Sequence, residues 1–320
     1  MGKALWAKKF CRLPLSCKEE YQASDTMIIF LTIFQYLIQS TVDLMDKFLI
    51  TARKLEPVKY TFYTVVTGLV LLLAWPWTFY HLTMRSVGLD LLSGALFSLA
   101  IYVFFKALSQ GEVSRVVPFV FGLVPVFDIL ISIATGRNIL RANELAAMCL
   151  LIPGALLISH QKHSGWGRHV ATKLTAAFLL SVNYAMWQFA AQTGPVLNNL
   201  MWNRIGAAGI LLVLLIFPGY RDKVFILDNI KHKTGTSVIF IFKQILGGLN
   251  FVFMGFLLVL GKISIVNGLQ GFRYIFLIGF SLLLSKKRRH LIEEDTAHIS
   301  ILQKSFGVAL IFLGTIFLFI

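Results

Sequence analysis

Ten apolar stretches fill the chain between Met27 and Ile320, and the last five echo the first five. Gly111-Glu112-Val113-Ser114-Arg115-Val116-Val117 returns as Gly261-Lys262-Ile263-Ser264-Ile265-Val266-Asn267, each copy at or just before the fourth stretch of its half. Pro57-Val58, which opens the second stretch, is matched by Pro195-Val196, which opens the seventh. Pro153-Gly154-Ala155-Leu156 in the fifth is matched by Leu313-Gly314-Thr315-Ile316 in the tenth. Five is an odd number, so a second half built on the same plan enters a bilayer with the opposite orientation. The expected fold is an all-α integral membrane protein of ten transmembrane helices, arranged as two inverted five-helix repeats. Such repeats are related by a pseudo-two-fold axis in the membrane plane, a plan shared by many secondary transporters.

Composition supports a membrane setting. Hydrophobic residues make up 57% of the chain and charged residues only 14%, against about 25% charged in soluble domains. A bilayer crossing needs roughly 20 apolar residues. The expected spans are Met27–Lys47, Val58–Thr78, Asp90–Ser109, Ser114–Ala134, Asn143–Ser159, Leu174–Gln192, Val196–Pro218, Ser237–Leu260, Ile263–Ser285 and Leu302–Ile320. The domain reading is a basic tail over residues 1–26, a first repeat over 27–163 and a second over 164–320. The connections are too short for a soluble catalytic domain.

A net charge of +15 would point to nucleic acid in a soluble protein. Here the basic residues sit mostly in the tail and loops, where lipid head groups are the nearer partner. No zinc-finger or RNA-binding motif is present, so nucleic acid is not an expected partner. Cys11, Cys17 and Cys149 have no metal-ligand spacing. The histidines lie in or near loops and form no His-Glu-x-x-His pattern. No metal and no cofactor are therefore expected. The loop charges conflict over orientation. Lys3, Lys8, Lys9 and Arg12 favour a cytoplasmic N-terminus, while Lys286-Lys287-Arg288-Arg289 adds to a larger count on the opposite side. Both termini are expected on the cytoplasmic side, in the cell membrane if the source is prokaryotic. The assembly is expected to be a monomer or homodimer.

The phrase Ala107-Leu108-Ser109, then Val116-Val117-Pro118 and Pro125-Val126-Phe127, resembles the third-to-fourth helix passage of the drug/metabolite transporter superfamily, in its EamA-like ten-helix branch. Gly136-Arg137, Glu144 and Pro153-Gly154-Ala155-Leu156-Leu157 resemble that family's next loop and fifth helix. Phe306-Gly307-Val308 and Leu313-Gly314 give a weaker second copy. The family often carries Gly-Glu-Arg or Gly-Glu-Lys after the fourth helix, whereas here Arg137 follows Gly136 directly. The resemblance implies transport of a small solute by alternating access, through a central cavity between the repeats, and no enzymatic activity.

Ionisable groups inside a bilayer need a partner, a wet cavity or a helix end. In the first span Gln35, Gln39, Asp43 and Lys47 recur every four residues and share one helical face, with Asp46 beside them. They read either as a stripe lining a transport path or as an ion pair near the helix end. On the first reading Asp43 or Asp46 is the candidate for proton or ion coupling. The ninth span carries Ser264, Asn267, Gln270, Arg273 and Tyr274. Arg273 lies near its middle, where snorkelling is strained. Lys243 in the eighth span is close enough to an end to snorkel. Asn199, Asn203 and Arg204 in the seventh, and Asn183, Tyr184 and Trp187 in the sixth, read as cavity residues or as ordinary helix-to-helix contacts. Lys106, Glu112 and Arg115 are expected to form a solvated cluster at the turn between the third and fourth spans. Cations are at least as numerous as acids in this set, which favours an anionic or zwitterionic substrate. The competing classes are a membrane enzyme acting on lipids, which would need its histidines to converge, and a receptor or assembly subunit with a sealed interior.

Overall fold

The computed structural model describes residues 17–74, 83–136, 141–160, 169–191, 196–225, 234–259, 269–287, 295 and 297–318. Among them the chain is helical and contains no strand. The helices are α1 (Cys17–Thr51), α2 (Pro57–Gly68), α3 (Met84–Ser109), α4 (Val113–Ala134), α5 (Ala142–Ser159), α6 (Val170–Ala191), α7 (Val196–Leu214), the short α8 (Pro218–Phe225), α9 (Thr234–Val259), α10 (Gly271–Lys287) and α11 (His298–Phe317). Five regions are long and apolar enough to cross a bilayer: Met27–Thr51 of α1, and α3, α4, α5 and α11. A sixth is added if α7 and α8, bent by 108° at their break, form one span. The described residues are thus all-helical, with five to six candidate membrane crossings by length and apolarity, as expected of a membrane protein. Residues 1–16 of the expected basic tail, and Asn267, lie outside the described residues.

Local signals set the helix ends. Pro57 opens α2, where its missing N–H is no loss. Thr83 accepts a bond from the Ser86 amide and caps α3. The Glu144 carboxylate accepts the Arg141 backbone N–H at 3.0 Å and closes the first turn of α5. Two expected spans end earlier than their apolar length implies. The second loses α-helical geometry at Gly68 and continues as a 3₁₀ segment over Leu69–Ala74. The seventh ends at Leu214, and Pro218 starts α8 in a new direction.

Helix packing interleaves the two parts of the chain. α3 lies against α6 and α7, α4 against α5 and α6, and α1 against α9 and α10, while α5 packs along α11. Glycines permit the tightest crossings. A Cβ on Gly94 would sit 1.9 Å from the Asn203 carbonyl oxygen, and one on Gly206 would sit 2.1 Å from that of Leu91. The α3 and α7 backbones therefore touch, as small residues allow in membranes. The main apolar core gathers around α4, with Val116, Val117, Phe119 and Val120 fully buried. Val238, Ile241, Phe242, Ile245 and Leu249 of α9 form an exposed apolar stripe at helical spacing, suited to lipid contact.

Candidate functional site

The polar face of α1 meets its partners on α9 and α10. The Arg273 guanidinium grips the Asp43 carboxylate with two bonds, Nε to Oδ2 at 2.8 Å and Nη2 to Oδ1 at 2.9 Å. Both residues are buried, so the pair relies on this bidentate geometry to offset desolvation. The same guanidinium stacks 4.0 Å above the Phe121 ring of α4. Gln39 donates to Asp43 at 3.1 Å and accepts from Asn250 at 2.6 Å, while Gln35 donates to Asn250 at 3.0 Å. The Tyr36, Tyr184 and Tyr274 phenols lie within electrostatic reach of Arg273. Tyr274 is fully buried, with its hydroxyl unpartnered. Tyr184 is 42% exposed.

One turn further along α1, Asp46 receives Lys243 of α9 at 2.7 Å and the Tyr60 hydroxyl of α2. The Lys243 ammonium also lies over the rings of Tyr60 and Phe105. Lys243 therefore stays inside and does not snorkel. Lys47 donates to the Leu108 and Gly111 carbonyls at 2.9 and 2.7 Å. It satisfies acceptors at the open C-terminal end of α3.

On α6 the chemistry is neutral. Asn183 donates to the Ser93 carbonyl at 2.7 Å and to its hydroxyl at 3.2 Å, and Asn203 of α7 donates to the same hydroxyl at 3.0 Å. Asn199 is buried on α7, and the buried Trp187 Nε1 has no partner. Arg204 lies 4.9 Å over the Phe97 ring and beside Gly68, where an added Cβ would meet the arginine side chain at 3.6 Å. Gln270 stands in the turn before α10 and is half-buried. The structure thus gathers Gln39, Asp43, Arg273, Tyr184 and Tyr274 in one group. Asp46 and Lys243 form a second, and Asn183 and Asn203 a third.

At the turn between α3 and α4 Lys106 is exposed as expected, but Glu112 and Arg115 form a largely buried network, in contrast to the solvated cluster expected there. Arg115 is only 2% exposed. Its Nε donates to Glu112 at 3.0 Å, Nη1 to the Ile158 and His160 carbonyls at 2.8 Å each, and Nη2 to Ser300 at 2.6 Å. Lys304 of α11 pairs with Glu112 at 2.5 Å, and Lys173 of α6 donates to Ser159 at 3.1 Å. Asp295, just before α11, has its carboxyl held below the usual range. It accepts the Ala297 amide, and Ser300, Lys304 and Arg115 add to the effect. Sequence reasoning missed Tyr60, Phe121, Ser300 and Lys304 as partners. Tyr36 was open to detection, because it precedes Asp43 by two helical turns. Among the described residues no group of three or more His, Cys, Asp or Glu side chains is set to hold a metal.

No family model matches the chain, and no curated protein matches it. One solved structure, described only as the crystal structure of a protein, aligns with 92% of this chain and 96% of its own length. Its identity is 16% and its TM-score 0.48, too low a likeness to bear on function.

Proposed function

We propose that the protein is a secondary transporter of the drug/metabolite transporter type, built from two inverted five-helix repeats. It moves a small anionic or zwitterionic solute by alternating access. The observation that carries this reading is the buried Asp43–Arg273 pair, joined between α1 and α10 beside the accessible Tyr184. Intramembrane charges of this kind mark substrate and ion paths.

The packing pattern supports the repeat. Each of the ten expected spans overlaps one of the long helices, with α8 as an added piece after the seventh. Replacing each of these helices by its counterpart in the other half turns the α3–α6 contact into α9–α1, α4–α6 into α10–α1, and α4–α5 into α10–α11. The α5–α11 contact maps onto itself. The α3–α7 contact has a much looser counterpart, in which α9 reaches α2 only through side chains, as where Gln244 bonds to Thr64 and Thr67.

The ligand class follows from the free valence of the cations. Arg273 and Lys243 each hold a carboxylate. Among the described residues Arg204 shows only ring and glycine contacts, leaving a planar fork suited to a carboxylate or phosphate. The test is uptake of a panel of organic anions, zwitterions and cations into proteoliposomes. Uptake of an anion or zwitterion is expected, falling at least tenfold in Arg273→Gln. No movement of any solute, or an unchanged Arg273→Gln, overturns the reading.

A further inference from the structure

Asp90 of α3 is completely buried, and neither of its carboxylate oxygens has a hydrogen-bond partner. No charged side chain among the described residues lies within electrostatic reach of it. This separates it from the carboxylates of α1, since Asp43 is held by Arg273 and Asp46 by Lys243. Asp128 of α4 at least accepts the Ser181 hydroxyl. A carboxylate with no counter-charge and no donor is not sustained as an anion inside a bilayer, because nothing offsets its desolvation.

The hydrogen bonds of the neighbouring helices fix the surroundings of Asp90. Asn183 of α6 meets Ser93, and α6 runs antiparallel to α3: Lys173 lies over Phe119 and Ser181 meets Asp128, so α6 follows the direction of α4. Trp187, one turn past Asn183, therefore stands level with Asp90, one turn before Ser93. Its indole N–H is a buried donor without an acceptor. On α7, Asn203 meets Ser93, and the Gly206 backbone lies against Leu91, the residue next to Asp90. The polar groups nearby on α6 and α7 are thus the neutral Trp187, Asn183 and Asn203, while α2, also packed on α3, brings Tyr60 to Phe105, well away from Asp90. The Arg204 cation of α7 is engaged with Phe97, on the far side of Ser93 from Asp90. Arg85 lies in the exposed first turn of α3.

We propose that Asp90 is a proton-binding site. It takes one proton from the aqueous phase and holds it as a neutral carboxyl in the arrangement seen here. In the transporter reading this makes Asp90 the carboxylate that couples solute to a pH gradient, and that clause alone rests on the proposed function.

The full-length protein in nanodiscs, titrated in infrared difference spectroscopy, tests the site without any substrate. The carboxylic C=O band present at neutral pH is expected to disappear in Asp90→Asn and to return at a shifted frequency in Asp90→Glu. An unchanged band in Asp90→Asn overturns the proposal. So does a titration that moves with sodium chloride but not with choline chloride, which would make the site a sodium site. Should Asp90→Asn not fold, the band in Asp90→Glu decides alone: an unshifted band counts against the site. In proteoliposomes Asp90→Asn is expected to lose at least tenfold of pH-driven uptake while solute exchange persists. Equal loss of both overturns the coupling role. Absence of any transport by the parent protein counts against the transporter reading and leaves the infrared result standing.

Discussion

Two three-helix corners of the molecule are glued by different chemistry. At one, α1 meets α2 and α9 through Asp46, Tyr60 and Lys243, a buried ion pair with a phenol. At the other, α6 meets α7 and α3 through Asn183, Asn203 and Ser93, with no charge. In the proposed repeat these corners are counterparts, and the offset that lays Gly111 on Gly261 also lays Ser93 on Lys243. A neutral amide set holds helices together at small risk, since each member has a local partner. A charged set holds them only while both members are present, because either one alone is a buried ion. One corner therefore behaves as a permanent joint, and the other as a joint whose strength depends on occupancy and protonation.

The sharpest break of this comparison is Lys243→Ala. It leaves Asp46 buried without its cation, and a loss of about 3–5 kcal/mol is expected for such a break. Thermal unfolding in detergent measures it, and a loss no greater than that of an amide deletion would erase the distinction between the corners. The double variant Asp46→Asn with Lys243→Ser converts the charged corner toward the neutral one. It is expected to lose less stability than Lys243→Ala alone, because no charge is stranded; a larger loss would show that the ion pair is net stabilising here. Asn183→Ala probes the neutral corner. A loss of about 0.6–1.7 kcal/mol is expected, the range for hydrogen bonds between membrane helices.

The smallest effect concerns Asp295, which is exposed. Its carboxyl titrates below the ordinary value of about 3.9. Its contribution is therefore present above that ordinary value and is lost as pH falls through the lowered one. Asp295→Asn is expected to lower stability slightly at neutral pH and to converge on the parent at low pH, which flattens the acid side of the profile. A profile superimposable on the parent at all pH values would rule that contribution out.

Much of the helical layout was legible in the sequence, because apolar length and proline or glycine punctuation act locally. Chain direction was harder to read where length alone was the guide, as at Gly68 and at the bend before Pro218. Asp43 and Arg273 were each legible as costly intramembrane charges. Their union was not, since they lie 230 positions apart and no local pattern encodes such a pair. Asp90 escaped notice for a different reason. Read from apolar content, it marks the start of the third span, but the helix runs back to Met84 and carries Asp90 inside. Arg115 looked solvated because it stands beside a turn, yet Ser300 and Lys304 from the far end of the chain cover that turn.

The close approach of α3 and α7 at Gly94 and Gly206 has a mechanical consequence. Where two rods touch most closely, motion is smallest, and the crossing acts as a fulcrum between a helix of each half. Lys106 lies twelve residues beyond Gly94 on α3, about 18 Å along the axis at 1.5 Å per residue. A tilt of roughly 10° about the crossing would then swing that end by about 3 Å, enough to pull apart the buried network at the α3–α4 turn while the amides beside the fulcrum keep their bonds.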